Sequence, residues 1–282
     1  MRETGRKKHA LKTFLTAAAL FWGTGTGLQG GAWSQEEGKG LVILQYFFYT
    51  TDSGFNNDWQ LEEFGNGGRF TKNELNLYAE YGILDRLTIF SNLFLDYLVN
   101  ESNSGEEKNF GVADPEFGAR YQFAEKIPQA LQLIVKVPGP YDVNDVPALG
   151  NGQTDVELAY FIGSPFTFFG NNGFVDAGVG YRLRTSEPAD EFRWYFVTGL
   201  PLSQKLDILI ENSGIIGLGD AKPQIIGDNI LLTTDFSLIK VGVSALYRTS
   251  SNWAIQAGPY LHVAGRATGA GGGFKIAIWR KF

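Results

Sequence analysis

The sequence predicts an all-β fold: a transmembrane antiparallel up-and-down β-barrel of about twelve strands, with both termini on the periplasmic side. Three observations carry this prediction. They are an export signal at the amino terminus, a recurring period-two alternation of apolar and polar residues, and a composition with 14% aromatic residues, 36 Gly and no Cys. In such a barrel each lipid-facing residue alternates with a lumen-facing one, so a chain that crosses a membrane many times keeps a near-neutral mean hydropathy, here -0.11.

Residues 1–34 read as a secretory signal peptide. Arg2, Arg6, Lys7, Lys8 and Lys12 precede an apolar run from Phe14 to Trp22, and Ala32 and Ser34 stand at the minus-three and minus-one positions of a cleavage site. The run is too short for an anchor helix, which needs ~20 residues. Cleavage leaves residues 35–282 as the barrel, with 19 basic and 29 acidic residues, which argues against nucleic acid as a partner. Without Cys there are no disulfides, no thiolate chemistry and no Cys-ligated metal.

Twelve segments carry the alternation, near 40–50, 70–82, 87–98, 112–123, 130–138, 153–163, 174–185, 191–200, 206–213, 235–247, 253–264 and 272–282. The first, "GLVILQYFFYT", must pair with the last, because an open edge in hydrocarbon leaves backbone groups unsatisfied. In the second, Leu75, Leu77, Ala79 and Tyr81 share one face and Glu74, Asn76, Tyr78 and Glu80 the other. A strand separates these sets, whereas a helix scatters them. The fourth sets Pro115, Phe117, Ala119, Tyr121 and Phe123 against Asp114, Glu116, Gly118, Arg120 and Gln122. The sixth opposes Val156, Leu158, Tyr160 and Ile162 to Asp155, Glu157 and Ala159. The seventh opposes Val175, Ala177, Val179, Tyr181 and Leu183 to Asp176, Gly178, Gly180, Arg182 and Arg184. One such stretch suits a soluble sandwich equally well; repetition behind an export signal favours the barrel.

An even strand count returns the carboxyl terminus to the side of the amino terminus. Connections after odd-numbered strands are mostly long (51–69, 99–111, 139–152, 214–234), and those after even-numbered strands mostly short ("ILDR", "AEKIPQ", "PLSQK", "TSSN"). Long outer loops and short periplasmic turns are the asymmetry of outer-membrane barrels. Two connections break the rule: 164–173 is long for a turn, and 186–190 is short for a loop. The tenth strand has an alternative start at Ile230. Tyr46 to Tyr49, Tyr78, Tyr81, Tyr97, Tyr121, Phe123, Tyr160, Trp194, Trp253, Trp279 and Phe282 are expected in aromatic girdles at the two interfaces.

From "FTKNELNLYAEYGILDRLTIF" through "GVADPEFGARYQF", "KVPGPYD", "LGNGQTDVELAYFIG" and "GFVDAGVGYRLRTSEPADEFR", the chain resembles the XagA-like outer-membrane β-barrels of Gram-negative bacteria. These are related in style to the barrels of phenol meta-cleavage pathways, and the resemblance spans most of residues 70–200. It implies an outer-membrane location, membership of a group associated with extracellular polysaccharide and biofilm, and relatives regarded as transporters of hydrophobic compounds. Outer-membrane lipids and lipopolysaccharide would be the surroundings.

Catalysis is not expected. Outer-membrane phospholipases, similar in architecture, place a Ser and a His together near the rim; here His262 stands in "YLHVAGR", with Ala264 where the nucleophile would be. "DVND" and "DSGFNND" offer oxygen ligands without the spacing of a calcium loop. No cofactor and no metal are expected. The strand parities instead turn charge into the lumen: Glu74, Asp114, Glu116, Asp155 and Glu157 on strands two, four and six, and Arg182, Arg184, Arg193 and Lys275 on strands seven, eight and twelve. Acids facing bases across a lumen constriction would set a transverse field for a passing solute. Pairing of Arg182 and Arg184 with Asp155 and Glu157 on the neighbouring strand would close it instead. The leading function is thus a channel or transporter for a small or chain-like solute, an exopolysaccharide or a hydrophobic compound. The alternative is a non-enzymatic surface barrel serving exopolysaccharide retention or biofilm formation.

The closing stretch "GGGFKIAIWRKF" resembles the carboxyl-terminal signal read by the outer-membrane assembly machinery, with Phe274, Ile276 and Ile278 toward lipid and Phe282 as the terminal aromatic. Arg280 departs from it, and near an interface an Arg costs only ~0–1 kcal/mol.

Overall fold

The computed structural model describes residues 31–186, 189–219, 224–226, 229–232 and 235–282. Most of the expected signal peptide, residues 1–30, lies outside the described residues. Twelve long strands make the wall: β1 (Gly40–Thr51), β2 (Arg69–Leu84), β3 (Leu87–Ser102), β4 (Glu116–Ala124), β5 (Gln129–Lys136), β6 (Asp155–Phe168), β7 (Asn171–Arg184), β8 (Glu191–Pro201), β9 (Leu206–Gly217), β10 (Ser237–Arg248), β11 (Trp253–Arg266) and β12 (Gly272–Lys281). Each pairs antiparallel with its neighbours in the chain, and β1 pairs with β12 from Leu41 opposite Lys281 to Thr50 opposite Gly272, which closes the cylinder. Gly40 and Phe282 fasten the seam with reciprocal backbone hydrogen bonds of 3.0 and 3.1 Å.

The alternation sorts side chains as hydrocarbon and lumen demand. Leu75, Leu77, Leu131, Leu133, Leu158, Val179, Ile255 and Ile276 are exposed on the outside, while Glu74, Asn76, Gln132, Glu157, Arg182, Gln256 and Lys275 are buried inside. Tyr81, Tyr97, Tyr121, Phe123, Trp253 and Phe282 are exposed on the exterior, with Phe282 stacked on Tyr81. Phe47, Tyr49, Tyr78 and Trp279 do not join the girdles; they share the inward parity of Gln45, Asn76 and Lys275 and are buried in the lumen. Arg280 lies on the outer face with its guanidinium 4.9 Å from the Trp253 ring centroid, a cation–π contact that suits an interface.

The exceptional connection at 164–173 is not a loop. β6 and β7 continue past the expected ends and meet at Phe169 and Gly170, which have φ of 45° and 76°. A two-residue hairpin of this hand needs positive φ at both positions, which Gly170 adopts without strain. The opposite correction falls on the fourth strand, which begins at Glu116 rather than 112. Pro115 lacks the N–H a ladder needs, and Gly105–Val112 belongs to a hairpin that extends β3 beyond the wall. The tenth strand starts at Ser237; Gln224–Ile226 and Asn229–Leu232 form a separate ribbon.

Candidate functional site

The site is built from the inward-facing positions of the strands. All nine expected constriction residues point inside. Glu74, Asp114, Glu116, Asp155, Glu157, Arg182, Arg193 and Lys275 are buried, and the Arg184 side chain is 2% exposed.

Their arrangement is not two opposed walls but the cross-strand pairing that the sequence offered as the alternative. Arg182 stands directly across the β6–β7 ladder from Glu157, and Arg184 from Asp155, so acids and bases interleave along one arc. Arg182 reaches Glu116 at 2.7 Å and Glu157 at 2.9 Å. Arg193 contacts Glu191 at 2.5 Å and Glu157 at 3.7 Å, and Arg184 joins Glu191 to Asp155. Lys136 links Asp155 at 2.7 Å to Asp114 at 3.3 Å. Cross-strand neighbours of opposite charge attract more strongly at these distances than groups facing each other over the lumen. Glu74 belongs elsewhere, with Lys72 (2.7 Å), which also holds Asp96 (2.9 Å). Lys275 pairs with Glu211.

Lys72, Asp96, Lys136, Glu191, Glu211 and Lys240 complete these groups and were not singled out from the sequence. Parity could have found several of them: Lys72 lies two residues before Glu74, and Glu191 two before Arg193, on the same faces. Nearer the end that carries the termini, Arg120 is fully buried. It donates to Glu80 (3.2 Å), Gln132 (3.0 Å), the Tyr78 hydroxyl (3.2 Å) and the Trp33 carbonyl (2.9 Å).

That last contact comes from a segment the sequence assigns to the signal peptide. Residues 31–35 run inside the barrel at its terminal end. The Ala32 N–H donates to Asp176 Oδ2 (3.0 Å), the Ser34 N–H to Gln122 (2.9 Å) and the Gln35 N–H to Thr88 (2.8 Å). Gly163 has no side chain where the Trp33 indole lies; a Cβ there would come within 2.4 Å of the ring.

The lumen divides into two halves. In the terminal half a cavity of about 530 Å3 lies among Trp33, Phe161, Phe174, Tyr195 and Trp279, with Arg182, Arg193 and Glu116 at its inner limit. In the loop half Phe47, Tyr49, Phe70, Phe94, Leu98, Leu149 and Tyr260 pack together. His262 lies in this half, its ring stacked on Tyr49 at 4.6 Å and its Nδ1 3.2 Å from the Tyr49 hydroxyl. Around Ser213, Lys240 and Tyr195, between the cavity and the loop end, the described side chains enclose voids of only about 10 Å3. Outside the barrel mouth, the Gly105–Val112 hairpin and residues 140–149 border an open groove of about 540 Å3 that includes Phe110, Tyr141 and Asp142. The Asn144 N–H groups donate to the Asp142 carboxylate there and hold it below the usual range.

A closed twelve-strand cylinder with an apolar exterior and a charged interior defines the class, a transmembrane β-barrel of the outer-membrane type. Among solved structures the chain is similar to an outer membrane channel from Pseudomonas putida F1, with TM-score 0.70 and 17% identity over 90% of this chain and 98% of that one. It is also similar to the translocator domain of autotransporter NalP from Neisseria meningitidis, with TM-score 0.51 and 13% identity over 86% and 88% of the two chains. At these identities the likeness is one of fold. No family model matches the sequence, and no curated protein matches it.

Proposed function

We propose that this chain is an outer-membrane channel of a Gram-negative bacterium, passing a small or short chain-like solute through its lumen. The observation that carries the reading is the terminal-half cavity of about 530 Å3, which ends on a band of charged side chains. A barrel kept only for its outer surface gains nothing from that arrangement, since ion pairs out of bulk water are no more stabilising than well-packed apolar side chains. The similarity of fold to an outer membrane channel supports it. The short turns and both termini face the periplasm, the long loops face outward among lipopolysaccharide, and the assembly machinery reads the strand that ends at Phe282. Purified protein in planar bilayers gives discrete conductance steps whose ion selectivity changes in Arg182→Glu or Glu157→Lys; silence in wild type and both variants would overturn the reading.

One observation favours a second reading, a surface barrel for polysaccharide retention: the groove beside Phe110, Tyr141 and Asp142 offers rings and a carboxylate at the loop end. Under it, trimming Gly105–Val112 abolishes retention and leaves conductance unaltered.

A further inference from the structure

Among the described residues, Asp176 is the buried acid with no ion-pair contact within 4.0 Å, although the Arg120 charge acts on it from further away. It lies inward on β7, 6% exposed, and borders the terminal-half cavity. Oδ2 accepts the Ala32 N–H at 3.0 Å, while Oδ1 has no hydrogen-bond partner among the described residues. The other charged groups lining the cavity are committed. Glu80 is held by Arg120, Glu116 by Arg182, Asp207 by Arg248, and Arg193 by Glu191. Lys281 is exposed near the carboxyl terminus on β12.

What surrounds Asp176 is aromatic. Phe174 precedes it by two residues on the same inward face, and the Trp33 ring packs edge-on against Phe174 with centroids 6.2 Å apart. Gly163, directly across the ladder from Asp176, is the residue over which the Trp33 indole lies. Phe161 and Tyr195 oppose Gly178, one inward step further along, and their own rings are 5.6 Å apart. A buried carboxylate oxygen lacking a donor, among ring faces that carry negative potential, is stabilised by a cation that also brings N–H donors.

We propose that this cavity binds a protonated primary or secondary amine carried on a flat or apolar body, with the ammonium on Asp176 Oδ1 and the body among Trp33, Phe161, Phe174 and Tyr195. The buried Trp279 Nε1 also has no hydrogen-bond partner among the described residues, and Trp279 lines the same cavity, so a ligand with an acceptor at its far end gains a second bond. The inference rests on the channel reading for how a solute reaches the cavity, but its test does not: binding is read by calorimetry, whereas the channel reading stands or falls on conductance.

The test titrates the purified full-length barrel in detergent at pH 7 with 2-phenylethylamine, 2-phenylethanol and phenylacetate, which share a ring and differ in charge. The amine is expected to bind at least about tenfold more tightly than the alcohol, and phenylacetate weakest of the three. Asp176→Asn should bring the amine down to the level of the alcohol and leave the alcohol unchanged, with folding verified by heat-modifiable migration on a gel. Equal binding of amine and alcohol by the wild type, or an amine preference that survives in Asp176→Asn, would overturn the proposal. The wild-type ranking decides the matter by itself if the variant does not fold.

Discussion

In the terminal half of the lumen, inward positions on β6 to β8 set rings near glycines: Phe161 beside Gly163, Phe174 and Gly178 on either side of Asp176, and Tyr195 and Gly199 on either side of Val197. In the loop half, inward positions on β1 to β3 are large in succession, and Phe47, Tyr49, Phe70, Phe94 and Leu98 meet in contact. One strand pattern thus builds a cavity or a packed barrier, depending on the volume of alternate residues. Period two fixes which face a residue takes, and side-chain volume then fixes whether that face encloses space.

The comparison can be broken at several levels. The largest effect falls on the wall that both halves share: deleting Phe282 removes its backbone bonds to Gly40 and its stacking on Tyr81, and is expected to abolish assembly. Normal levels of truncated protein in the membrane fraction would refute this. Next comes the charged band between the halves. Glu157 has a fully buried side chain, meets Arg182 and Arg193 and accepts a 2.6 Å hydrogen bond from Tyr195, so Glu157→Ala leaves Arg182 with Glu116 alone, Arg193 with Glu191 alone and the buried Tyr195 hydroxyl without its acceptor. A loss of about 3–5 kcal/mol is expected, read as a lower midpoint of heat-modifiable gel migration. A subtler effect belongs to residues 32–34. If they form part of the cavity wall, the mature chain isolated from membranes begins at or before Gly31, and its mass includes Trp33. Cleavage after Ser34 would instead leave Asp176 without its Ala32 donor. The smallest effect is expected at the exposed Lys108–Glu106 pair on the hairpin, where Lys108→Ala should leave the midpoint unchanged.

Much of the fold was legible in the sequence because lipid leaves so few solutions. All twelve strand segments correspond to strands of the barrel, with differences of a few residues at several ends. What eluded the sequence was local. Nothing in the mixed composition of 164–173 shows that two strands run on through it to a turn at Phe169–Gly170, and the hairpin beyond β3 looks like any polar loop. At the site, inward parity placed the charged residues inside the barrel but did not give their partners, because pairing depends on ladder register. Register places Arg182 opposite Glu157. Ala32 and Ser34 stand at the expected cleavage positions, and no pattern in the strands announces that the backbone of residues 32–35 bonds to lumen side chains.

For the channel proposed above, passage is expected to be limited in the loop half, at the layer of Phe47, Lys240 and Tyr260, and not in the terminal-half cavity. Single-channel conductance of the Phe47→Gly/Tyr260→Gly double variant, set against Phe161→Gly in the cavity wall, tests it most directly. The account predicts that the double variant raises conductance roughly severalfold, because widening the narrowest segment governs the resistance of a pore, while Phe161→Gly leaves it near the wild-type value. A double variant that conducts like wild type, or a larger rise in Phe161→Gly, would contradict it.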